Sequence, residues 1–496
     1  MGEEREVSMP KGPLHQKLSA YGASDFYGFH MPGHKRHMGG ASGPYGLDIT
    51  EIHGFDDLHH PQEHGILAQA QARAAAVYGA EETHFLVNGS TAGVLSAISG
   101  CTRPDGELLL ARNSHRSAYH GAALLRLKVH YLYPQILVEL GINGGILPED
   151  VDKSLTMHEG IEAVFVTSPT YEGVCLDVKA VAEICHCHGV PLIVDQAHGA
   201  HFPFSAYFPE DALRAGADVV IQSVHKTLPS LTQTALLHVQ GDLVDRERLR
   251  SYLSVYQSSS PSYVLMASLD DCMELLEKKG EALFAAYTER LEQFRVECRD
   301  LRNLRLLGKE LVGREGVSDF DRSRLVIFSE EEALTGAGLS RWLRAQAHLE
   351  MEMAAGAYVT GISSVADQRE NFERLDAALH TLDKTLQEDG GSPQNQKSKR
   401  EKSRQIRKAQ AALPLWQALE EDREWVEADK GENRLSASYL YLYPPGIPLV
   451  VPGERLDAGL CREIKAAAGR GQRLHGLDGQ GRIAVVRDRR VTGPVE

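Results

Sequence analysis

Three short polar segments of the 496-residue chain carry residue types that could do chemistry together. Segment 88–91 (NGST) follows the apolar run HFLV, Asp195 closes the run PLIVD, and segment 223–226 (SVHK) follows VVIQ. Open α/β sheets bind ligands at the edge where their parallel strands end. Polar residues placed directly after apolar strands therefore predict one shared ligand site.

The residue types in these segments indicate the chemistry. Partial burial disfavours the charged form of a lysine amine, which suits Lys226 to Schiff-base formation with a carbonyl compound. Asp195 is costly to bury unless it meets a positive partner. Gly89, Ser90 and Thr91 begin a predicted helix, and the free N–H groups and positive dipole end at such a start bind phosphate.

Together the segments provide what pyridoxal 5'-phosphate requires: an amine, a carboxylate for the pyridine nitrogen and a phosphate cup. Ser223 and His225 add phosphate donors, and His115, after the strand ELLLA, offers a flat ring for stacking on the cofactor. Each residue also has an ordinary alternative, such as a helix cap, an Asp195 that bonds loop amides, an exposed Lys226 or a satisfied core histidine. Their joint occurrence in one sheet favours the cofactor site.

The elements that must position these residues alternate regularly along the chain. Apolar strand-like runs separated by helix-compatible segments predict a mostly parallel α/β sheet, with helices on both faces, over residues 80–240. The predicted strands are His84–Val87, Glu107–Ala111, Lys128–Leu132, Ala163–Thr167, Val190–Val194 and Asp218–Gln222. The predicted helices are Ile66–Tyr78, Thr91–Gly100, Ser114–Leu127, Pro148–His158 and Val178–His186.

Composition excludes several classes of protein. The formal charge of −15 argues against nucleic acid or an anionic membrane surface as a partner, since both require a basic surface. It is compatible with a cationic substrate. Apolar runs are too short for a membrane span, and seven cysteines are too few for a disulfide scaffold. We therefore expect a soluble cytoplasmic protein.

Changes in pattern divide the chain into five parts. A helical stretch from about 265 to 300 suits a long connecting helix, and residues 397–408 carry seven basic residues and one acidic one. Without interleaved aromatic residues, we interpret that basic run as a flexible insertion; a nucleic-acid or localisation patch is the alternative. The predicted parts are an N-terminal arm (1–65), a large α/β domain (66–265), a connecting helix with a small α+β domain (266–386), the charged insertion (387–408) and a C-terminal segment (409–496).

Two apparent metal motifs do not predict a metal site. Segment 60–64 (HPQEH) fits a zinc pattern, but it contains a proline and lies among loop residues. In segment 185–188 (CHCH), residues two apart on a helix do not face the same way. We therefore expect no bound metal.

Nine blocks in order resemble the bacterial ornithine/lysine/arginine decarboxylases, a fold-type-I family that uses pyridoxal phosphate. They are HMPGHK (30–35), DITEIHGFDDLHHP (48–61), FLVNGSTAGV (85–94), ARNSHRSAYH (111–120), TSPTYEGV (167–174), VDQAHGAHF (194–202), QSVHKTLPSLTQTALLHV (222–239), SSSPSYVLMASLD (258–270) and YPPGIPLVVPGE (443–454). The resemblance is to the short, biosynthetic-type group, since the chain begins close to the arm. Gln196 and Glu172 depart from the residues expected in close relatives.

The resemblance implies a role for each site residue. Lys226 would carry the cofactor, Asp195 would pair with the pyridine nitrogen and His115 would stack on the ring, while Ala197 and His198 would pack on the opposite face. The phosphate would be held by Ser90, Thr91, Ser223 and His225.

The implied reaction is α-decarboxylation of a small cationic amino acid, arginine before lysine or ornithine, to a polyamine precursor. Acids suited to the distal cation are Glu172, Asp56, Asp57 and Glu432, which the sequence does not rank. The family also implies active sites at the interface of a homodimer or higher homo-oligomer. The alternatives are another fold-type-I activity, such as an aminotransferase or aldolase, and a non-catalytic regulator with this fold.

Overall fold

A computed structural model describes residues 9–24, 44–388, 410–442, 446–469 and 474–487. The block HMPGHK and residues 389–408 of the charged insertion lie outside the described residues. The N-terminal part forms α1 (Pro13–Gly22), α2 (Pro44–Leu47) and α3 (Ile66–Tyr78). Gly79, in the left-handed region at φ 74°, ends α3 as the sequence predicts.

The central sheet occupies the region in which strands and helices alternate. Its elements and the short strands between them are β1 (Glu82–Leu86), α4 (Gly89–Cys101), β2 (Glu107–Ala111), α5 (Arg116–Leu124), β3 (Lys128–Leu132), β4 (Ile136–Leu137), β5 (Ile142–Asn143), α6 (Pro148–Met157), β6 (Ile161–Thr167), β7 (Val174–Cys175), α7 (Val178–Cys187), β8 (Leu192–Asp195), β9 (Val219–Gln222), α8 (Val224–Thr227), β10 (Ala235–Val239) and α9 (Arg246–Tyr256). The seven strands of the sheet are ordered β1-β10-β9-β8-β6-β2-β3. The α/β fold is thus confirmed.

The sheet contains one strand that the sequence analysis missed. β10 lies between β1 and β9 and is antiparallel to both, whereas β9, β8, β6, β2 and β3 are mutually parallel. Its five residues are all buried. No helix-compatible segment separates β10 from the lysine segment, so it falls outside the regular strand–helix alternation from which the other strands were predicted.

Side chains on the sheet alternate between two buried layers. Leu109 packs in one hydrophobic cluster, and its neighbours Leu108 and Leu110 pack in another on the opposite face. Both faces are covered, which is why these strands are apolar throughout. The sheet is therefore a rigid platform for the residues at its edge.

A long helix leads to a second sheet. The elements are α10 (Tyr263–Glu297), β11 (Leu304–Leu306), β12 (Asp319–Phe320), β13 (Arg324–Ser329), α11 (Gly336–Ala347), β14 (Met353–Ala355), β15 (Tyr358–Ile362) and α12 (Arg369–Glu388). The four-stranded antiparallel sheet is ordered β11-β13-β15-β14, and β12 pairs with β7. The connecting helix expected near residues 265–300 is confirmed.

The C-terminal part packs back against the central sheet. It consists of α13 (Leu415–Glu420), β16 (Arg423–Val426), β17 (Leu440–Leu442), β18 (Pro448–Val450), α14 (Ala458–Gly469), β19 (Leu474–His475) and β20 (Ile483–Val486). Arg112, directly after β2, forms a two-point ion pair with Glu454 at 3.0 and 3.1 Å, and both side chains are buried. Throughout the described ranges, no helix is long and apolar enough to cross a membrane.

Candidate active site

A cavity of about 450 Å³ lies at the edge where β6, β8 and β9 end. Its volume is within the usual range for small-molecule sites. All ten residues predicted from the sequence line it: Gly89, Ser90, Thr91, His115, Asp195, Ala197, His198, Ser223, His225 and Lys226. The structure thus brings the three polar segments together.

Lys226 enters the cavity from α8, the single helical turn that follows β9. Its Nζ lies 3.0 Å from Nε2 of His198. Burial, opposed by the Asp195 carboxylate and assisted by the Arg324 guanidinium, lowers the pKa of Lys226 to about 8. An amine with that pKa is neutral in about one molecule in ten at pH 7, a much larger share than for an ordinary lysine. Lys226 is therefore a competent nucleophile.

Asp195 ends β8, directly beside β9. Its Oδ1 accepts a hydrogen bond from the backbone N–H of Ala197 at 3.1 Å. Burial raises the pKa of Asp195, while the positive charge of Lys226 acts in the opposite direction. A buried carboxylate of this kind is stabilised by a cationic group. A protonated pyridine nitrogen would supply that charge.

The start of α4 forms the anion-binding part of the cavity. Gly89 adopts φ 70°, and the preceding Asn88 makes no side-chain hydrogen bond to the first amides of the helix. The hydroxyls of Ser90 and Ser223 meet at 2.5 Å. These N–H groups and hydroxyls suit a phosphate. His225 donates from Nδ1 to the carbonyl oxygen of Thr234 at 2.7 Å, which fixes its ring at the cavity wall.

His115 is held by the helix that it precedes. It is the N-cap of α5, where its Nδ1 accepts a hydrogen bond from the backbone N–H of Ser117 at 3.3 Å. Burial, assisted by the positive charge of Lys226, lowers the pKa of His115 to about 4. The His115 ring is therefore neutral near pH 7, and a neutral ring is suited to stack on the ring of the cofactor.

These residues fit pyridoxal 5'-phosphate. The cavity combines a largely desolvated amine, a buried carboxylate and a helix start whose N-cap residue makes no side-chain cap bond. The amine suits the aldehyde of the cofactor, the carboxylate suits its ring nitrogen and the helix start suits its phosphate.

Two glutamates, Glu172 and Glu352, add negative charge to the cavity, and the charge of Glu352 acts on Lys226. Glu172 is buried, and its Oε1 accepts a hydrogen bond from the hydroxyl of Tyr358 at 2.8 Å. Glu352, directly before β14, accepts one from Tyr171. Both glutamates line the cavity. Two like charges in one cavity favour a cationic ligand.

The other candidate acids lie elsewhere. Asp56 accepts hydrogen bonds from the backbone N–H of Leu67 at 3.2 and 3.3 Å, and Asp57 accepts one from His59 at 2.8 Å. Glu432 is exposed in the C-terminal part. The structure therefore separates Glu172 from the other three acids.

Several cavity residues were not predicted from the sequence. Glu352 belongs to the second sheet, and Ile447 lies just before β18 in the C-terminal part. Ile447 belongs to the block YPPGIPLVVPGE, but neither residue follows a strand of the central sheet, so the strand pattern does not place either of them at the cavity. The further lining residues are Val94, Asn113, Ser117, Asn143, Thr167, Thr170, Thr232 and Gln233.

The two apparent metal motifs have other partners. His186 pairs with Asp218 and His188 pairs with Asp152, each at 3.0 Å. Segment 60–64 forms a loop. Among the residues that the structure describes, no group of three or more His, Cys, Asp or Glu side chains could hold a metal ion.

Comparison with known proteins gives consistent matches along the chain. The family described as Orn/Lys/Arg decarboxylase matches through its major domain at residues 12–324 and through its C-terminal domain at residues 394–480. The arginine decarboxylase of Bacillus subtilis (strain 168) is 30% identical over 479 residues, covering 92% of this chain and 95% of the relative. That of Bacillus anthracis is 30% identical over 461 residues, covering 90% and 91%.

A solved structure shows the same fold. The crystal structure of the Francisella novicida lysine decarboxylase LdcF superposes with a TM-score of 0.82 at 17% identity, covering 96% of this chain and 81% of that chain. At that identity the similarity concerns the fold.

Proposed function

Because the chain belongs to the Orn/Lys/Arg decarboxylase family and is an amino-acid decarboxylase with pyridoxal 5'-phosphate as cofactor, we propose that its substrate is arginine. The observation that carries the proposal is the joint presence of Lys226, Asp195 and two glutamates in one cavity. The family match favours decarboxylation over the aminotransferase, aldolase and regulator alternatives.

The chain's own residues divide the work of the reaction. When bound, pyridoxal phosphate supplies a ring that accepts the electron pair of the breaking Cα–carboxylate bond. Lys226 is the residue that would hold the cofactor, through its partly neutral amine. Asp195 keeps the ring nitrogen protonated, which stabilises the developing negative charge. After CO2 leaves, the protonated amine of Lys226 would be the group that returns a proton to Cα.

Binding roles follow from the same positions. Ser90, Thr91, Ser223 and His225 would bind the phosphate at the start of α4, and the neutral ring of His115 would stack on the cofactor ring. Ala197 and His198 form the opposite wall.

We assign the distal cation of the substrate to Glu172 and Glu352. The hydroxyls of Tyr358 and Tyr171 orient the two carboxylates. A planar guanidinium can share its N–H groups between two acids, whereas an ammonium is a point charge. This difference supports arginine before lysine or ornithine.

The proposal also covers the oligomeric state of the protein, its location in the cell and its domain boundaries. We propose a homodimer or larger homo-oligomer with active sites at the interface, which sedimentation velocity tests. All seven cysteines are free, which supports the reducing cytoplasm as the location. Decarboxylation of arginine would give an amine that serves as a polyamine precursor. The separate family match to a C-terminal domain, which begins at residue 394, supports a distinct C-terminal part, which we place at residues 409–496.

The decisive experiment measures CO2 release from arginine, lysine and ornithine, each supplied alone. We expect the highest kcat/KM with arginine. Lys226→Ala should abolish both CO2 release and the visible absorbance of the bound cofactor, whereas the exposed-site control Lys128→Ala should change neither. Faster turnover of lysine or ornithine would refute the substrate assignment and leave the reaction class standing.

A further inference from the structure

Arg324 is a buried residue whose side chain makes hydrogen bonds to His198, a residue that lines the active site. It begins β13 of the second sheet, its side chain is fully buried, and it does not line the cavity. Its Nη2 donates to both Nδ1 and the carbonyl oxygen of His198, each at 2.9 Å. Its Nε lies 3.6 Å from the Asp321 carboxylate. Two of its hydrogen bonds thus fix one histidine.

The proton positions in this chain of contacts follow from the donors. A guanidinium is always protonated and has no acceptor, so Nδ1 of His198 must offer its lone pair. Burial, assisted by the positive charges of Lys226 and Arg324, lowers the pKa of His198 well below its usual value. The ring is therefore neutral, and its single N–H proton lies on Nε2. This places an N–H donor 3.0 Å from Nζ of Lys226.

An N–H donor facing an amine nitrogen stabilises one protonation state of that amine. The neutral amine has a lone pair that accepts the hydrogen bond, whereas an ammonium has only donors and would face a second donor. The opposite tautomer of His198 would present a lone pair and stabilise the ammonium. The tautomer of His198 therefore decides which form of Lys226 is favoured.

We propose that Arg324 is a positioning residue that locks His198 in its Nε2–H tautomer and so increases the share of Lys226 in the neutral, nucleophilic form. The inference rests on the proposed role of Lys226. The other groups that act on Lys226 or on the His198 ring are the charges of Asp195 and Glu352 and the imidazoles of His115 and His225. They change the field at the two groups but make no hydrogen bond to Nδ1 among the described contacts.

The first test needs no substitution of Arg324. Nitrogen-15 NMR of the full-length, cofactor-free protein reports which ring nitrogen of each histidine carries the proton, and His198→Phe assigns the signal. We expect a protonated Nε2 and a bare Nδ1 at His198. A proton on Nδ1 would overturn the proposal, even if the Arg324 variants do not fold.

The second test measures the amine itself. The rate at which acetic anhydride acetylates Lys226 in the cofactor-free full chain is followed by peptide mass spectrometry, with exposed Lys128 as internal reference. We expect Arg324→Met to slow acetylation at neutral pH about three- to tenfold, the result of a pKa rise of about 0.5 to 1. Added to His198→Phe, the same substitution should slow acetylation less, because only the direct effect of the Arg324 charge on Lys226 remains to be lost.

The double substitution separates the proposal from a simpler cause. If Arg324 acted only through its charge, Arg324→Met would slow acetylation equally in the presence and absence of the His198 imidazole. An equal effect in both backgrounds, or no effect in either, refutes the proposal. Neither outcome depends on CO2 release, so a wrong substrate assignment would leave this result interpretable.

Discussion

Removing the carboxylate of Glu454 should loosen the C-terminal part from the central sheet. Arg112 donates to both carboxylate oxygens of Glu454, at 3.0 and 3.1 Å, and to the carbonyl oxygens of Pro448 and Leu449 at 2.6 and 3.2 Å. Glu454 also accepts the backbone N–H of Val451 at 2.9 Å. In Glu454→Ala the guanidinium stays buried without its counter-charge.

The structure allows the size of this effect to be worked out. Removing one partner of a fully buried ion pair costs about 3–5 kcal/mol, because the remaining charge is left desolvated. Both partners are at most 1% exposed, so solvent screening does not reduce the figure. Replacing both partners, as in Arg112→Met with Glu454→Leu, removes the stranded charge. The double variant should therefore cost less than the sum of the two single losses, because neither side chain is left as an unpaired buried charge.

The assay is urea unfolding followed by circular dichroism, with hydrogen exchange of peptides from residues 446–454 as a local measurement. Glu350→Ala, which breaks an exposed pair with Arg344 at 3.2 Å, is the matched control and should cost less than about 1 kcal/mol. If Glu454→Ala lost no more stability than this control, or if the double variant lost the full sum, the reasoning would be wrong. Loss of docking should also lower kcat/KM, since Ile447 lines the cavity.

Three further outcomes are expected. Asp195→Asn should still bind the cofactor, as measured by the visible absorbance, but its kcat should fall at least about 100-fold, because a neutral amide does not keep the ring nitrogen protonated. Unchanged turnover would contradict this role of Asp195. Glu172→Gln and Glu352→Gln should each raise KM for arginine about tenfold, with a smaller change in kcat, when CO2 release is measured. If both variants kept the KM of the unsubstituted protein, neither glutamate would bind the substrate. Burial lowers the pKa of His238 from 6.5 to about 3. The contribution of neutral His238 to stability is therefore full above pH 6.5 and is lost as the pH falls toward 3. His238→Gln should flatten the pH dependence of the unfolding free energy in that range by up to about 1.4 kcal/mol per pH unit, and an unchanged slope would refute this.

The sequence was most informative where chemistry and secondary structure coincide. Lys226 and Asp195 could be placed in one cavity because each directly follows an apolar strand, and parallel neighbouring strands end at the same edge. The start of α4 was predictable for the same reason, from small hydroxyl residues between a strand and a helix.

Residues that reach the site from other parts of the fold left no such signal. Glu352 and Arg324 come from the second sheet, and their distance from Lys226 depends on how two sheets pack, which no local pattern encodes. Ile447 is brought to the cavity by the C-terminal part, which the ion pair of Arg112 anchors. Which residues of the second sheet and the C-terminal part lie at the cavity therefore depends on long-range packing, which local sequence patterns do not predict.

The position of β10 in the central sheet sets an order for biosynthesis. In the described residues β1 pairs with β10 alone, although the two strands are separated by most of the large sheet's sequence. While the ribosome is still making the intervening segments, β1 has no neighbour to hydrogen-bond with and its backbone groups stay solvated. β1, the first strand of the central sheet to be made, is thus incorporated together with β10, the last one. Because Lys226 is translated just before β10, the lysine and its supporting sheet are completed in the same short interval.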